Sequence, residues 1–568
     1  MNPTPEERAA GKEDFRAAVG DMTRRDFLMG SVAAGVVSAG SMGAFYFGYK
    51  KAEGHPLRVG VLGTGDEGSV LLGAVTPDYI HVKAIADIRP YSIHRAFHGD
   101  VYSDVALAAR CGLLAKYGWK TEDEARKHVE VYGDYRELIA NAKQDGIEAV
   151  VIALPLHLHA PAAIAAMRAG LHVLTEKLMG HSVHECKEMA RVAKQTGLYL
   201  AVGHQRHYNI LYHNAMEAIR RGILGDLHYI RAQWHRGNLP GADSWQQPLP
   251  KSSKPDDRLA EELVKKLASW ERALEESGGR DIEVWQRKVD QVKAQIRDEN
   301  LDAAQFGYQD AEFKDKSGKV IYRRPAIEEL IRWRLWDRTG GGLMAELGSH
   351  QLDAASIFVS AMHGGQKQHP LSVVAAANRP LFPPDRDVED HVYCLIEFPA
   401  PGYDANDPIN KMKKIGVQYA SINGNGFGGY GEIVYGTKGT LILDREKEVM
   451  LFRDSGGSKV SVGKSSGPTM DTQASGPPQA AAAGASGQAE VSRGYTEELE
   501  HWAWCIRNPA PENQPRCGPK VAMADAIIAL TTNIAARQAK RIEFKEEWFD
   551  PDSDETPEGV KPDLSRYA

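Results

Sequence analysis

Three glycines and one acid are the first residues that could do chemistry together. In "LRVGVLGTGDEGSVLLGAV", Gly63, Gly65 and Gly68 form GxGxxG between a run of strand character and a run of helical character. The spacing has a mechanical reason: the first glycine permits a tight turn, the second lets backbone approach a pyrophosphate, and the third lets helix and strand pack closely. Asp87 follows 24 residues after Gly63, at the end of the next apolar run. There a carboxylate accepts hydrogen bonds from the adenosine ribose and repels a 2′-phosphate. NAD is the expected cofactor, with NADP kept open by Arg89 and Arg95 nearby. Asp66 and Glu67 are awkward in such a turn, because anions suit a phosphate cradle only when they point out of it.

A second constellation lies in "AELGSHQLD", where Glu346, His350 and Asp353 fall at i, i+4 and i+7. That spacing puts them on one face of a helix whose other residues are Leu, Met, Ala and Phe. A polar stripe on such a helix must face water or a pocket that satisfies it, so it marks either a site or a structural hydrogen-bond network. In "RWRLWDRTGGG", Trp333, Arg334, Trp336 and Asp337 mix aromatic and charged groups as a sugar platform would, and each has an equal structural reading. His157 with His159, and His204 with His207, have no carboxylate or thiolate at tight spacing. No metal is expected from them.

These residues need elements to hold them. The chain of 568 residues is 42% hydrophobic, enough for two or three domains. Its net charge of -7 supplies no basic footprint, which argues against nucleic acid. The five cysteines are too scattered for a disulfide framework. Cys505 and Cys517 alone are close, as a loop-closing disulfide or as two unrelated thiols. Apolar runs at 57–63, 81–87, 148–155, 172–177 and 199–205 alternate with helical segments. This predicts an α/β fold: an N-terminal Rossmann domain over residues 56–205. From 206 to 550 longer runs separated by turns predict an α+β domain with a large, mainly antiparallel open sheet. Two insertions interrupt it. A charged helical hairpin at about 255–300 has one apolar stripe on each arm, read first as zipping the arms together and otherwise as a lid or subunit contact. A low-complexity loop occupies about 455–490, and a tail covers 551–568.

With GxGxxG, "ALPLHLHAP", "AGLHVLTEKLMG", "GHQRHYN" and "GGGLMAELGSHQLD" in this order, the chain resembles the glucose-fructose oxidoreductase / inositol dehydrogenase / MocA family from residue 57 to about 550, outside the insertions. The resemblance implies that Lys177, in the place of the family's EKP lysine, lies by the nicotinamide and substrate, with Glu176 on the cofactor side. Leu178 stands where the family has proline, and Glu346 where it has aspartate. The implied reaction is hydride transfer at a sugar or polyol CH–OH group. It needs a base at the hydroxyl; His350 takes that role, Lys177 stabilises alkoxide charge, and Glu346 orients His350. Asp353, Gln205 and Arg206 would contact substrate. A redox-neutral NAD-dependent glycosidase is the alternative, and a non-catalytic sugar- or cofactor-binding protein the third reading.

At the N-terminus, "TRRDFLMGSVAAG" resembles a twin-arginine export signal. Arg24 and Arg25 precede an uncharged stretch, so residues 1–50 are set apart as a leader or membrane tether. A protein exported folded can carry its nicotinamide with it into the periplasm. Self-association through the open sheet completes the expected partners.

Overall fold

The computed structural model describes residues 3–18, 42–50, 54–453, 493–561 and 563. Six parallel strands form the first sheet: β1 (Leu57–Leu62), β2 (Ile80–Ala86), β3 (Glu130–Tyr132), β4 (Ala149–Ile152), β5 (His172–Glu176) and β6 (Leu200–Gly203). Their order, β3-β2-β1-β4-β5-β6, is the doubly wound arrangement, with the glycine turn following the central β1. The inner strand β4 is buried throughout, which is why it reads as a continuous apolar run. Only β3 was missed, a partly exposed edge strand of three residues. Helices lie on both sides. Val183–Thr196 shows how local sequence sets their limits: Ser182 and Glu185 make a capping box, and Gly197 ends the helix in left-handed conformation.

The second sheet contains β7 (Leu227–Trp234), β10 (Ser372–Asn378), β11 (His391–Pro399), β12 (Lys414–Ile422), β13 (Tyr430–Gly436), β14 (Gly439–Asp444), β15 (Glu448–Arg453) and β16 (Ile542–Glu543), in the order β15-β14-β13-β7-β12-β11-β10-β16. A separate ribbon pairs β8 (Ala311–Lys314) with β9 (Val320–Arg324). Only β7 and β12 run parallel in the large sheet. One face packs on the helices Ser349–Met362 and Pro519–Gln538; the other exposes Val374, Tyr393 and Leu395. The fold is therefore a Rossmann domain joined to an open, mostly antiparallel α+β sheet.

The C-terminal helices join the two. Leu499, Trp502 and Ile506 of Tyr495–Arg507 enter the core on one face of the first sheet. Met523, Ile527 and Leu530 of Pro519–Gln538 enter the core on its other face, while Ile528 and Ala535 belong to the core of the second sheet. The tail is bound as well, because Lys187 Nζ donates to the carbonyl oxygens of Glu547, Ser553 and Glu555. The hairpin consists of Glu262–Glu276 and Asp281–Ile296, and its stripes do more than zip together. Its second arm also packs on the Rossmann helix Pro90–His98, where Gln291 accepts from Val101 N at 2.7 Å and donates to Asp100 at 2.9 Å.

Described residues on both sides of the arginine pair pack against the two domains. A helix over 5–18 buries Phe15 in the core of the second sheet, with Arg8 paired to Asp444 at 3.1 Å and Lys12 to Glu448 at 2.5 Å. Phe47 and Tyr49 enter the Rossmann core, and Tyr49 donates to Glu500 at 2.7 Å. Amphipathicity in the first segment and aromatic side chains in the second supply these contacts. Arg24, Arg25 and the low-complexity loop at 455–490 lie outside the described residues. Among the described residues no helix is long and apolar enough to cross a membrane, and all five cysteines are free thiols.

Candidate active site

A cavity of about 460 Å³ opens at the carboxyl ends of the first sheet's strands, where they meet the helix Ser349–Met362. Gly63, Asp87, Ala153 and Glu176 reach it from the ends of β1, β2, β4 and β5. This is where an open α/β sheet places its ligand. The three glycines divide their tasks as the spacing requires. At Gly63, with φ +87°, a Cβ would meet Ala153 O at 2.6 Å; at Gly68 it would meet Gly63 O at 2.1 Å. Gly65 has nothing within 4 Å and faces open space. That leaves room for a pyrophosphate against backbone, so the turn fits a dinucleotide.

Asp87 accepts from Thr64 N at 2.8 Å and from Arg89 N at 2.9 Å, and burial raises its pKa. Arg89 pairs with Asp298, just beyond the hairpin, at 2.9 Å, and Arg95 with Asp66 at 2.7 Å. Both arginines that could have welcomed a 2′-phosphate are thus committed elsewhere. Burial works against ionisation of Asp66, but Arg95 and Arg110 hold its carboxyl well below the usual range. Glu67 differs: burial pushes it up against the pull of Lys177 and Arg493.

At the other end, Lys177 Nζ donates to Glu346 O at 2.9 Å and stands 3.8 Å from the Glu346 carboxylate. The Lys177–Leu178 peptide is cis, and the two ring nitrogens of His159 lie 2.8 Å from the carbonyl oxygens of Leu178 and Leu154. Burial and the neighbouring Glu67 push Glu176 up to about 8. His350 faces the cavity, its ring 5.3 Å from that of Trp234. Burial, then Lys177 and Arg206, lower its pKa far below the usual value, so the imidazole is neutral.

Not every residue of the predicted stripe shares this cavity. Met344–Gly348 is a π-helical turn leading into Ser349–Met362, and its wider winding breaks the i, i+4, i+7 alignment. Glu346 accepts from Arg334 at 2.8 Å instead of orienting His350; despite burial, Arg334 and Lys177 hold it down at about 2. Asp353 lies outside the cavity wall, accepting from His207 at 2.8 Å. Arg206 is also behind the wall, buried against Glu446 at 2.8 Å, because the 3-10 turn Gln205–Tyr208 sends adjacent side chains to different sides. Gln205 lines the cavity, as do Trp333 and Arg334. Trp336 is a core residue stacked on Phe313, and Asp337 pairs with Arg537. Sequence reasoning missed Arg236, Trp245, Tyr308, Arg493 and Tyr495, all in the wall. The aromatic and cationic "QWHRGN" was a readable sign for Arg236; Tyr308 and Tyr495 carried none.

A Rossmann turn opening on a cavity closed by a second, open sheet defines a two-domain dinucleotide-binding protein. Residues 57–204 match the GFO_IDH_MocA model, described as "Oxidoreductase family, NAD-binding Rossmann fold", and the domain they form belongs to that family. A "Glycosyl hydrolase family 109 protein" of Stenotrophomonas maltophilia (strain K279a) is 29% identical over 214 residues, covering 37% of this chain and 42% of that protein. A "Trans-1,2-dihydrobenzene-1,2-diol dehydrogenase" of Macaca fuscata fuscata is 29% identical over 184 residues, covering 32% of this chain and 49% of that one. The chain thus spans less than half the length of these two relatives. The solved "oxidoreductase domain protein from Kribbella flavida" shares the fold, with a TM-score of 0.51 at 14% identity, covering 87% of this chain and 100% of that one.

Proposed function

We propose that this protein is an exported oxidoreductase that moves hydride between a sugar or polyol CH–OH group and a tightly held NAD. The observation that carries the reading is one cavity with the glycine turn and Asp87 at one end and Lys177 and His350 at the other. NAD, when bound, supplies the hydride acceptor. The neutral His350 takes the hydroxyl proton as the C–H bond breaks, and the Lys177 ammonium stabilises the alkoxide charge. Trp333 and Trp234 give a sugar ring apolar faces, with Arg236 and Gln205 as polar contacts. Asp87, with Arg89 and Arg95 both engaged, favours NAD over NADP. Export rests on the arginine pair and its uncharged sequel; retention of NAD follows from the scarcity of nicotinamide outside the cytoplasm. A second copy on the open face of the second sheet is the proposed partner, supported by Val374, Tyr393 and Leu395 there.

The name of the glycosyl hydrolase relative favours a second reading, a redox-neutral glycosidase that oxidises, eliminates, adds water and reduces back. Purified protein separates the two. Co-purifying nucleotide is identified by mass spectrometry, and a panel of sugars and chromogenic glycosides is then added. Sugar-dependent change in nicotinamide absorbance supports the oxidoreductase, and aglycone release with no net reduction supports the glycosidase. Bound nucleotide with neither response leaves a binding protein.

A further inference from the structure

Behind the cavity wall lies a second cluster that the reaction does not use. His207, Asp353 and Asp525 bring one ring nitrogen and two carboxylate oxygens within 4.8 Å of one another. His204 lies beside Asp353, its Nδ1 3.5 Å from Asp353 Oδ2. Three elements supply these residues: the segment after β6, the helix Ser349–Met362 and the helix Pro519–Gln538. The cluster is more than a group of acids. His204 is 1% exposed, and neither of its ring nitrogens makes a hydrogen bond. Asp353 Oδ2 and Asp525 Oδ2 are equally buried and equally unmatched. Only Asp353 Oδ1, held by His207 at 2.8 Å, and Asp525 Oδ1, held by Lys367, have partners. Four buried polar atoms without a good hydrogen bond, two of them facing each other only at 3.5 Å, need an explanation, because native interiors satisfy such groups.

We propose that His204, His207, Asp353 and Asp525 form a structural site for a divalent transition-metal ion, zinc being its simplest occupant. Two imidazoles and two carboxylates are a donor set that zinc accepts, and four protein ligands leave no open position for chemistry. Tetrahedral ligands about 2.0–2.1 Å from zinc stand about 3.4 Å apart. The observed span, from 2.8 Å between His207 and Asp353 to the 4.8 Å limit of the three-residue group, brackets that separation. Charge leaves room for a cation: two carboxylates face one ammonium, Lys367, which binds Asp525 Oδ1 and leaves Oδ2 unmatched. The ion would tie the segment carrying Gln205 to the helix carrying His350, with the C-terminal helix as the third anchor. The histidine pair is visible in sequence; its carboxylates come from 146 and 318 positions beyond His207 (353 - 207 and 525 - 207), too far for any spacing rule.

The test uses the full-length protein, stripped with chelator and titrated separately with Zn²⁺ and Co²⁺. The expected result is one high-affinity equivalent per chain, a rise in melting temperature on loading, and intense visible bands from tetrahedral cobalt. His204→Gln and the double variant His207→Ala/Asp525→Asn should each lose at least tenfold in Zn²⁺ affinity, with the cobalt bands abolished in the double variant. NAD affinity, measured in parallel, reports that each variant is folded. If a variant does not fold, the wild-type cobalt spectrum still decides, since it must show mixed N/O tetrahedral ligation. Absence of a stoichiometric equivalent in the wild type overturns the proposal, as does undiminished binding in a folded variant.

Discussion

At the scale of residues, the site depends on two carboxyls held in opposite states close to Lys177. Glu346, paired with Arg334 and near Lys177, stays ionised down to about 2. Glu176, buried beside Glu67, keeps its proton up to about 8. The sign of the second effect is definite. A free glutamate ionises near 4.5, so between that value and about 8 the folded state holds a proton that the unfolded chain has released. The cost of a buried Glu176 charge is absent below that window, grows as pH rises through it, and is complete above it. Melting temperature of the cofactor-free protein should therefore fall from pH 5 to pH 8, and Glu176→Gln should flatten that part of the profile. An equal slope in the variant would assign the effect to other groups. Lys177→Ala tests the chemistry: removing one positioned donor to a developing alkoxide should lower turnover by roughly 10²–10³-fold. Nucleotide binding, read by fluorescence, should persist, because the glycine turn and Asp87 are untouched.

At the scale of elements, the hairpin insertion bears on cofactor choice. Asp298, just beyond its second arm, is fully buried and accepts from both Arg89 and the backbone of Tyr91. Asp298→Ala would leave the Arg89 guanidinium unpaired in a largely buried setting, a change that typically costs about 3–5 kcal/mol. Urea unfolding should show that loss as a lower midpoint, and the ratio of NAD to NADP affinity should narrow as Arg89 becomes free. An unchanged ratio would leave discrimination to Asp87 alone. Sequence and structure part company at this scale for a physical reason. A strand buried on both faces, such as β4, is legible because every residue is apolar, and the glycine turn is legible because its three backbone demands recur at fixed spacing. The stripe Glu346, His350 and Asp353 was legible as polar residues but not as one site. An α-helical period does not hold where a π turn intervenes, and the glycines at 340–342 before it and the Gly348-Ser349 pair at its end suit an ordinary helix start equally well. Partners such as Asp298 for Arg89 come from distant elements and are settled only by packing.

At the scale of the whole molecule, the ends of the chain hold the domains together. The helix over 5–18 lies on the second sheet through Phe15, Arg8 and Lys12, while Phe47 and Tyr49 enter the Rossmann core. The two C-terminal helices cover the first sheet from both sides, and one of them also supports the second. Among the described residues, what this leaves uncovered is the outer face of the second sheet. On it Val374 and Leu395 are paired neighbours across β10 and β11, each 47% exposed, and Tyr393 lies two residues along. A strand pattern that alternates cleanly between core and solvent normally carries polar groups outward. Apolar and aromatic groups at these outward positions fit burial against a like surface, and a two-fold axis would bring the same patch to itself. Light scattering on purified protein should therefore give a mass above one chain. Leu395→Glu puts two like charges at the centre of such an interface, where they cannot be paired, and should return the mass to that of a single chain. Nucleotide binding should be retained, since β11 belongs to the second sheet and Leu395 does not line the cavity. A monomeric wild type, or a variant that stays associated, would remove the open sheet as the contact.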